Sequence, residues 1–216
     1  MFYSNFAWSN IDETHQATFS RLTSLTLRNP KYSIQTADLA RLGEWCPSLE
    51  TLTLADYNRD YLPAPLVLNR RASFFPALTT LVLEGDISLH LVASFLNSLN
   101  NLKQLSILVS NFSIPAEDLD SLLLEVTKAG NLQYLQYLQV YQWGDISLET
   151  ILYLIDQAQH LTTIWGLNLL SLSDSAREII TSHIRNTVEH SHWSRSLQKL
   201  SSDWLNLTML TPRSMP

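Results

Sequence analysis

The chain has 216 residues, of which 45% are hydrophobic and 16% are charged. This composition supplies enough apolar material for a substantial core, so a disordered chain is not expected. The formal net charge is −6 and only 14 residues are Lys or Arg, which argues against a nucleic-acid partner because binding to phosphates draws on clustered basic side chains.

The cysteine content and the absence of apolar runs predict the compartment. Cys46 is the single cysteine, so an internal disulfide is excluded and a reducing environment is expected. The opening stretch MFYSNFAWSNIDE has neither the basic nor the apolar region of a signal peptide. No apolar run approaches the ~20 residues of a membrane span. We therefore expect a cytoplasmic protein, with the nucleus as the alternative, that does not bind membranes.

One phrase, L-x-x-L-x-L, returns along the chain with apolar residues at its first, fourth and sixth positions. Successive copies begin 24 to 36 residues apart, which is close to the period of leucine-rich repeats. A sixth copy at Leu161 is degraded and a seventh at Leu197 is doubtful. The five clear copies begin at Leu22, Leu49, Leu78, Leu102 and Leu135.

Between the phrases, apolar residues recur at helical spacing. Gly130 suits the C-cap of one helix, and Ser175 with Glu178 has capping-box spacing before another. The unit over 47–75 is less regular because Pro63 and Pro65 interrupt it. The predicted helices cover residues 37–46, 89–99, 119–126, 148–155 and 179–188.

Each unit is thus expected to contain a strand, a turn, a helix and a return, and stacked units share a core that no single unit can close. We predict an α/β leucine-rich-repeat solenoid, a curved horseshoe arc of about 6–7 repeats with a parallel concave β-sheet and convex helices. The array is expected over 19–192, between an N-terminal cap at 1–18 and a last degenerate repeat with a C-terminal cap at 193–216, in one continuous domain.

The stretch LARLGEWCPSLETLTL, residues 39–54, resembles the helix-to-strand junction of the irregular repeats in F-box leucine-rich-repeat proteins. The segments PALTTLVL, NLKQLSIL and HLTTIWGL are similar but weaker. The resemblance covers roughly residues 19–170 and implies an array that recognises substrates for a ubiquitin ligase. The F-box itself, a helical module that docks the ligase adaptor, is not found in this sequence.

Two groups of side chains of the reactive or metal-binding type are better explained by structural roles. Cys46 falls where a helix passes into the next strand, a position that is normally core, so we expect a buried thiol. His183, His190 and His192 form a loose cluster, but no cysteine or well-spaced carboxylate pair completes a metal site. No cofactor, metal or catalytic residue is predicted.

The solvent side of the predicted sheet carries the third, fifth and seventh positions of each phrase. Its first half is small and polar, and its second half is aromatic and apolar, as at protein-binding hot spots. The alternative is that these aromatic residues only cover a poorly formed end of the sheet. The predicted protein-binding residues are Arg28, Glu84, Leu108, Tyr137, Gln139, Tyr141, Trp143, Thr163 and Trp165.

The strand after residue 131 admits two registers. A phrase starting at Leu132 gives more even spacing, but it would expose Leu138 and Val140 and forfeit ~1.5–3 kcal/mol for each. We therefore predict that the phrase begins at Leu135.

The sequence predicts a monomeric, non-catalytic protein-interaction module, with substrate selection for a ubiquitin ligase as the leading role. A freestanding scaffold or a microbial effector that binds a host protein is the alternative within this class. From another class, the chain is a leucine-rich-repeat fragment of a larger enzyme. The sequence does not identify the protein partner.

Overall fold

The computed structural model describes residues 16–28, 36–57, 75–85, 87, 89–109, 114, 116–143, 147–158, 160–167 and 173–190. The strands in these ranges form one six-stranded sheet whose order follows the chain, and every neighbouring pair is parallel. The protein is therefore α/β with a parallel sheet, as the sequence predicted.

The helices and strands have the following bounds. The strands are β1 Ser24–Arg28, β2 Thr51–Tyr57, β3 Thr80–Gly85, β4 Gln104–Val109, β5 Tyr137–Trp143 and β6 Thr163–Leu167. The helices are α1 Gln16–Phe19, α2 Thr36–Trp45, α3 Leu89–Ser98, α4 Ala116–Lys128, α5 Leu148–Gln157 and α6 Asp174–His190.

The core lies beneath the fourth and sixth positions of each phrase. In β3, burial alternates along the strand, and Leu81 and Leu83 are fully buried while Val82 between them is half-buried. Apolar residues of the helices join the same cluster, among them Leu96 of α3 and Leu123 of α4. One face of the sheet is therefore packed against helices. The fourth positions align across the six strands as Leu25, Leu52, Leu81, Leu105, Leu138 and Ile164.

Strand β5 has the register that begins its phrase at Leu135. Leu138 pairs with Leu105 and Val140 with Ile107, and both residues of β5 are completely buried. The prediction from burial energy is confirmed over the alternative favoured by spacing.

A ladder of backbone hydrogen bonds runs along the edge where the strands begin. One carbonyl oxygen just before each strand accepts two successive N–H groups from the chain entering the next strand. Both donors would otherwise lack a partner at the start of a parallel strand. The five acceptors are Thr23, Glu50, Thr79, Lys103 and Gln136, at N···O distances of 2.8 to 3.2 Å.

The helix ends confirm one capping prediction and correct another. Gly130 has φ of +80°, its N–H donates to Thr127 and that of Asn131 to Val126, which together close α4 as a Schellman motif. The last helix is capped by Ser173 rather than Ser175, because the Ser173 hydroxyl accepts the N–H of Ala176. The capping-box prediction at Ser175 is therefore wrong, because the helix already begins at Asp174.

Several predicted features lie outside the described residues. These are the irregular segment around Pro63 and Pro65, most of the N-terminal cap, the segment 193–216 and His192. Among the helices that are described, none has the combined length and apolarity required to cross a membrane.

The alternation in β3 can be tested by paired truncations. Leu81→Ala should lower the free energy of unfolding by about 2–5 kcal/mol, because it leaves a cavity in a closely packed core. Val82→Ala, on the other face of the same strand, should cost about 1 kcal/mol or less. Urea denaturation of both variants measures the difference, and equal losses would contradict the observed orientation of the strand.

The helix end at Gly130 makes a second test. A Cβ at this position meets no atom within 4 Å, so Gly130→Ala adds no steric clash and its cost comes from the left-handed backbone. We expect a loss of about 1 kcal/mol in thermal or urea denaturation. Gly130→Asn should lose less, since Asn tolerates this conformation better. Unchanged stability of the alanine variant would show that the turn relaxes.

Candidate functional site

The candidate site is the face of the sheet opposite the helices, hereafter the open face, formed by the third, fifth and seventh positions of the phrases. Most of its side chains are half-buried, as expected for a sheet surface with close neighbours. Two positions depart from the prediction that all of them face solvent, since Ala55 is fully buried and Ser106 is 8% exposed. The face is therefore less open at Ala55 and Ser106 than the sequence indicated.

The predicted residues of β1, β3 and β4 lie at the end of the sheet where the strands finish. Arg28 is exposed and pairs in register with Ala55, which in turn pairs with Glu84. Glu84 and Leu108 are half-buried partners on β3 and β4. Arg28 and Glu84 are separated by one intervening strand, a gap of about 9–10 Å between backbones.

Strands β5 and β6 supply the other predicted residues. Tyr137 and Gln139 are half-buried on β5, and Tyr137 pairs with Thr163 of β6, which is also half-buried. Gln139 pairs with Trp165, so these two residues are direct neighbours across the strands. The structure thus brings Tyr137, Gln139, Thr163 and the backbone of Trp165 together.

The three remaining aromatic predictions are placed by backbone alone. Tyr141 and Trp143 lie on β5 and Trp165 on β6, while their side chains lie outside the described part of the structure. The β5–β6 register shifts between Gln139 and Trp143. Beyond Gln139 the simple alternation of faces therefore no longer assigns side chains to the open face.

A hydrogen-bonded cluster at the centre of the open face was not predicted. The amide oxygen of Gln139 accepts the hydroxyl of Ser106 at 3.3 Å and the hydroxyl of Tyr137 at 3.2 Å. Two hydroxyl donors occupy both lone pairs of that oxygen. The amide of Gln139 is consequently held in one orientation and has only its N–H groups to offer a ligand. We call Ser106, Tyr137 and Gln139 the amide cluster.

The amide cluster explains the burial of Ser106. Its hydroxyl is hydrogen-bonded to the side chain of Gln139 on the next strand. A position that the sequence pattern places on the solvent side is therefore buried. The arrangement suits molecular recognition. Neutral polar groups that are already held in fixed geometry lose little conformational entropy when they bind a partner's donors and acceptors. A sequence signal did exist, since Tyr137 and Gln139 are two residues apart and so share a face.

Other side-chain clusters lie off the open face. On the helical side, Lys128 forms an ion pair with Glu149 at 2.8 Å and lies over the ring of Tyr153. The hydrogen bond to Glu149 is the main cause that raises the pKa of Lys128 above its usual value. Tyr134 stacks on His160 at 6.2 Å between ring centroids.

Of the predicted histidine cluster the structure describes the side chain of His183, whereas the side chains of His190 and His192 lie outside the described part of the chain. His183 Nε2 lies 2.6 Å from Asp156 Oδ1, an interaction that joins α6 to α5. Cys46 is fully buried, and burial raises the pKa of its thiol from 9.0 to about 11. Over the described ranges, no group of three or more His, Cys, Asp or Glu side chains is arranged to hold a metal ion.

Comparisons with known proteins add no relative: no protein-family model matches the chain, and no curated protein matches it.

The buried thiol of Cys46 gives a test that depends on pH. At neutral pH the fraction of Cys46 present as thiolate should be about a hundredfold lower in the folded protein than in the unfolded chain. Burial of the side chain slows its labelling further. An aromatic disulfide reagent should therefore label the native protein far more slowly than the protein in urea. Rapid native labelling would contradict the burial of Cys46.

The same shift predicts how stability varies with alkaline pH. The folded state holds the thiol proton more tightly than the unfolded state, so the stabilisation is complete below pH 9 and is lost as pH rises towards 11. Cys46→Ala has a cavity cost that does not depend on pH. The stability advantage of the wild type over this variant should therefore narrow between pH 9 and 11, as measured by urea denaturation.

Proposed function

We propose that the protein is a non-catalytic protein-recognition module of the leucine-rich-repeat type, which binds a protein partner through the open face of its sheet. The observation that carries this proposal is the amide cluster, a set of neutral polar groups fixed in the middle of that face. Protein surfaces that bind tightly combine such pre-organised polar groups with aromatic anchors.

The regularity of the fold supports a repeat architecture. Six parallel strands in chain order, a leucine at nearly every aligned fourth position and a repeated two-donor carbonyl at the start of each strand are what stacked units of one kind would produce. Strands that stack closely beside wider helices bend an array, so the open face would be its concave side. Arrays of this kind use such faces to bind partners.

The charge of the open face indicates which partners it would prefer. At its described positions the charged residues are Arg28 and Glu84, and both lie at the end where the strands finish. The centre, around Gln139, offers amide and hydroxyl groups next to the strand that bears Trp165. We therefore propose a partner surface that is mostly neutral and contributes hydrogen-bond acceptors and apolar side chains.

Selection of substrates for a ubiquitin ligase remains the biological role that the F-box resemblance implies. In that setting the partner on the open face would be the protein to be modified. If the full-length gene product carries an F-box before these residues, capture of that product should also recover the ligase adaptor.

The proposal is tested by affinity capture from a lysate of the source cell, with Gln139→Glu as the main variant. A glutamate keeps two acceptor oxygens for the hydroxyls of Ser106 and Tyr137, but it removes the outward N–H donors and adds a negative charge. A protein bound by the open face should be captured at least about tenfold less by this variant, since an unpaired charge at an interface costs 1.4 kcal/mol or more.

A matched control uses exposed aromatic residues away from the open face. Tyr134 and Tyr153 are 44% and 37% exposed, and the Tyr134→Ala, Tyr153→Ala double variant should capture the same protein as the wild type. Loss of capture in this control, with Gln139→Glu unaffected, would move the binding surface to the helical side. Circular dichroism of each variant verifies that the fold is retained.

A further inference from the structure

A second surface lies on the helical side, in a groove between α3 and α4. The groove has a volume of about 310 Å³ and is lined by six residues. From α3 come Leu89 and Ala93, both half-buried. The four residues from α4 are Asp118, Ser121, Leu122 and Glu125.

The residues from α4 occur at the spacing i, i+3, i+4 and i+7, which places them along one side of the helix. Leu122 is 8% exposed and forms the floor with the two residues of α3. Asp118 and Glu125 are exposed, and two helical turns place their backbones about 10 Å apart. The groove is therefore an apolar slot with a carboxylate near each end of one wall.

Two other charged groups of α4 are engaged on the side that faces α5. Asp120 accepts the backbone N–H of Ser147 at 3.1 Å, and Lys128 pairs with Glu149 at 2.8 Å. The helix thus uses Asp120 and Lys128 to contact the α5 segment, while the carboxylates of Asp118 and Glu125 line the groove. The two helices that line the groove are tied near their C-terminal ends, where the amide of Asn131 donates to the carbonyl oxygen of Leu96 at 3.0 Å.

We propose that this groove binds a short basic and amphipathic helix of a partner protein. The complementary helix has Lys or Arg at positions i and i+7, which lie about 10 Å apart and match the two carboxylates. Leucine at i+3 and i+4 lies on the same side of that helix and enters the apolar slot. The net charge of −6 favours the approach of such a cationic segment. This surface is separate from the open face, and neither proposal depends on the other.

The probe is a fluorescein-labelled, alanine-rich helical peptide with Lys at i and i+7 and Leu at i+3 and i+4. Two control peptides replace both lysines by glutamate or both leucines by alanine. Fluorescence anisotropy at low salt should show that the wild-type protein binds the first peptide more tightly than either control. Binding should weaken as salt is raised, because the carboxylates are exposed to solvent.

The protein variants distinguish binding in the groove from attraction of the peptide by the overall negative charge of the protein. Asp118→Asn with Glu125→Gln should weaken binding of the first peptide about fivefold, since two exposed ion pairs are lost. Glu44→Gln with Glu50→Gln removes the same charge from two exposed positions outside the groove and should change the affinity less than twofold.

Three results would overturn the proposal. The first is that the wild type binds the three peptides equally or binds none of them. The second is that the control variant weakens binding as much as the groove variant does. The third is that sedimentation analysis shows self-association of the wild type that the groove variant abolishes, which would assign the groove to a second copy of the chain.

Discussion

The structure depends on one arrangement of the backbone, in which the carbonyl before each strand receives two N–H groups from the chain entering the next. A parallel strand cannot be joined to its neighbour by a tight hairpin, so each connection must leave the sheet and return in register. The repeated acceptor at Thr23, Glu50, Thr79, Lys103 and Gln136 fixes where each return begins. Two residues later the aligned fourth positions enter the core, and the buried face and the open face follow from that register.

Much of this arrangement could be predicted because it depends on local patterns in the sequence. The leucines of the phrase mark the strands, and the positive φ of Gly130 was foreseeable from a glycine after a helical pattern. The first turns of α4 and α6 were not foreseen, since Ala116-Glu-Asp and the segment from Asp174 add no large apolar residue to the periodicity. Helix starts of this kind are set by polar capping groups such as Ser173 rather than by burial.

The candidate site was predicted less well than the fold, for a physical reason. Local alternation assigned Tyr137 and Gln139 to one face, but the partner that orders them, Ser106, is 33 residues away from Gln139 in the chain. Such a contact depends on which strand lies alongside and at what register. The shift in β5–β6 pairing after Gln139 has the same character, because an irregular register depends on how the two strands pair and cannot be predicted from the hydrophobic pattern of either strand.

The division of polar groups between the two sides of the sheet has a consequence for binding. At the centre of the open face, the polar groups of the amide cluster are neutral and already bonded to one another, so an association there gains from fixed geometry and loses little to salt. The groove on the helical side instead presents exposed carboxylates at Asp118 and Glu125 over an apolar floor, so attraction there is long-range and screened by ions. Because the two proposed binding surfaces are formed by different elements and match different chemistry, the proposals allow one molecule to bind a neutral protein surface and a basic helix at once. On these two proposals the protein acts as a connector between partners.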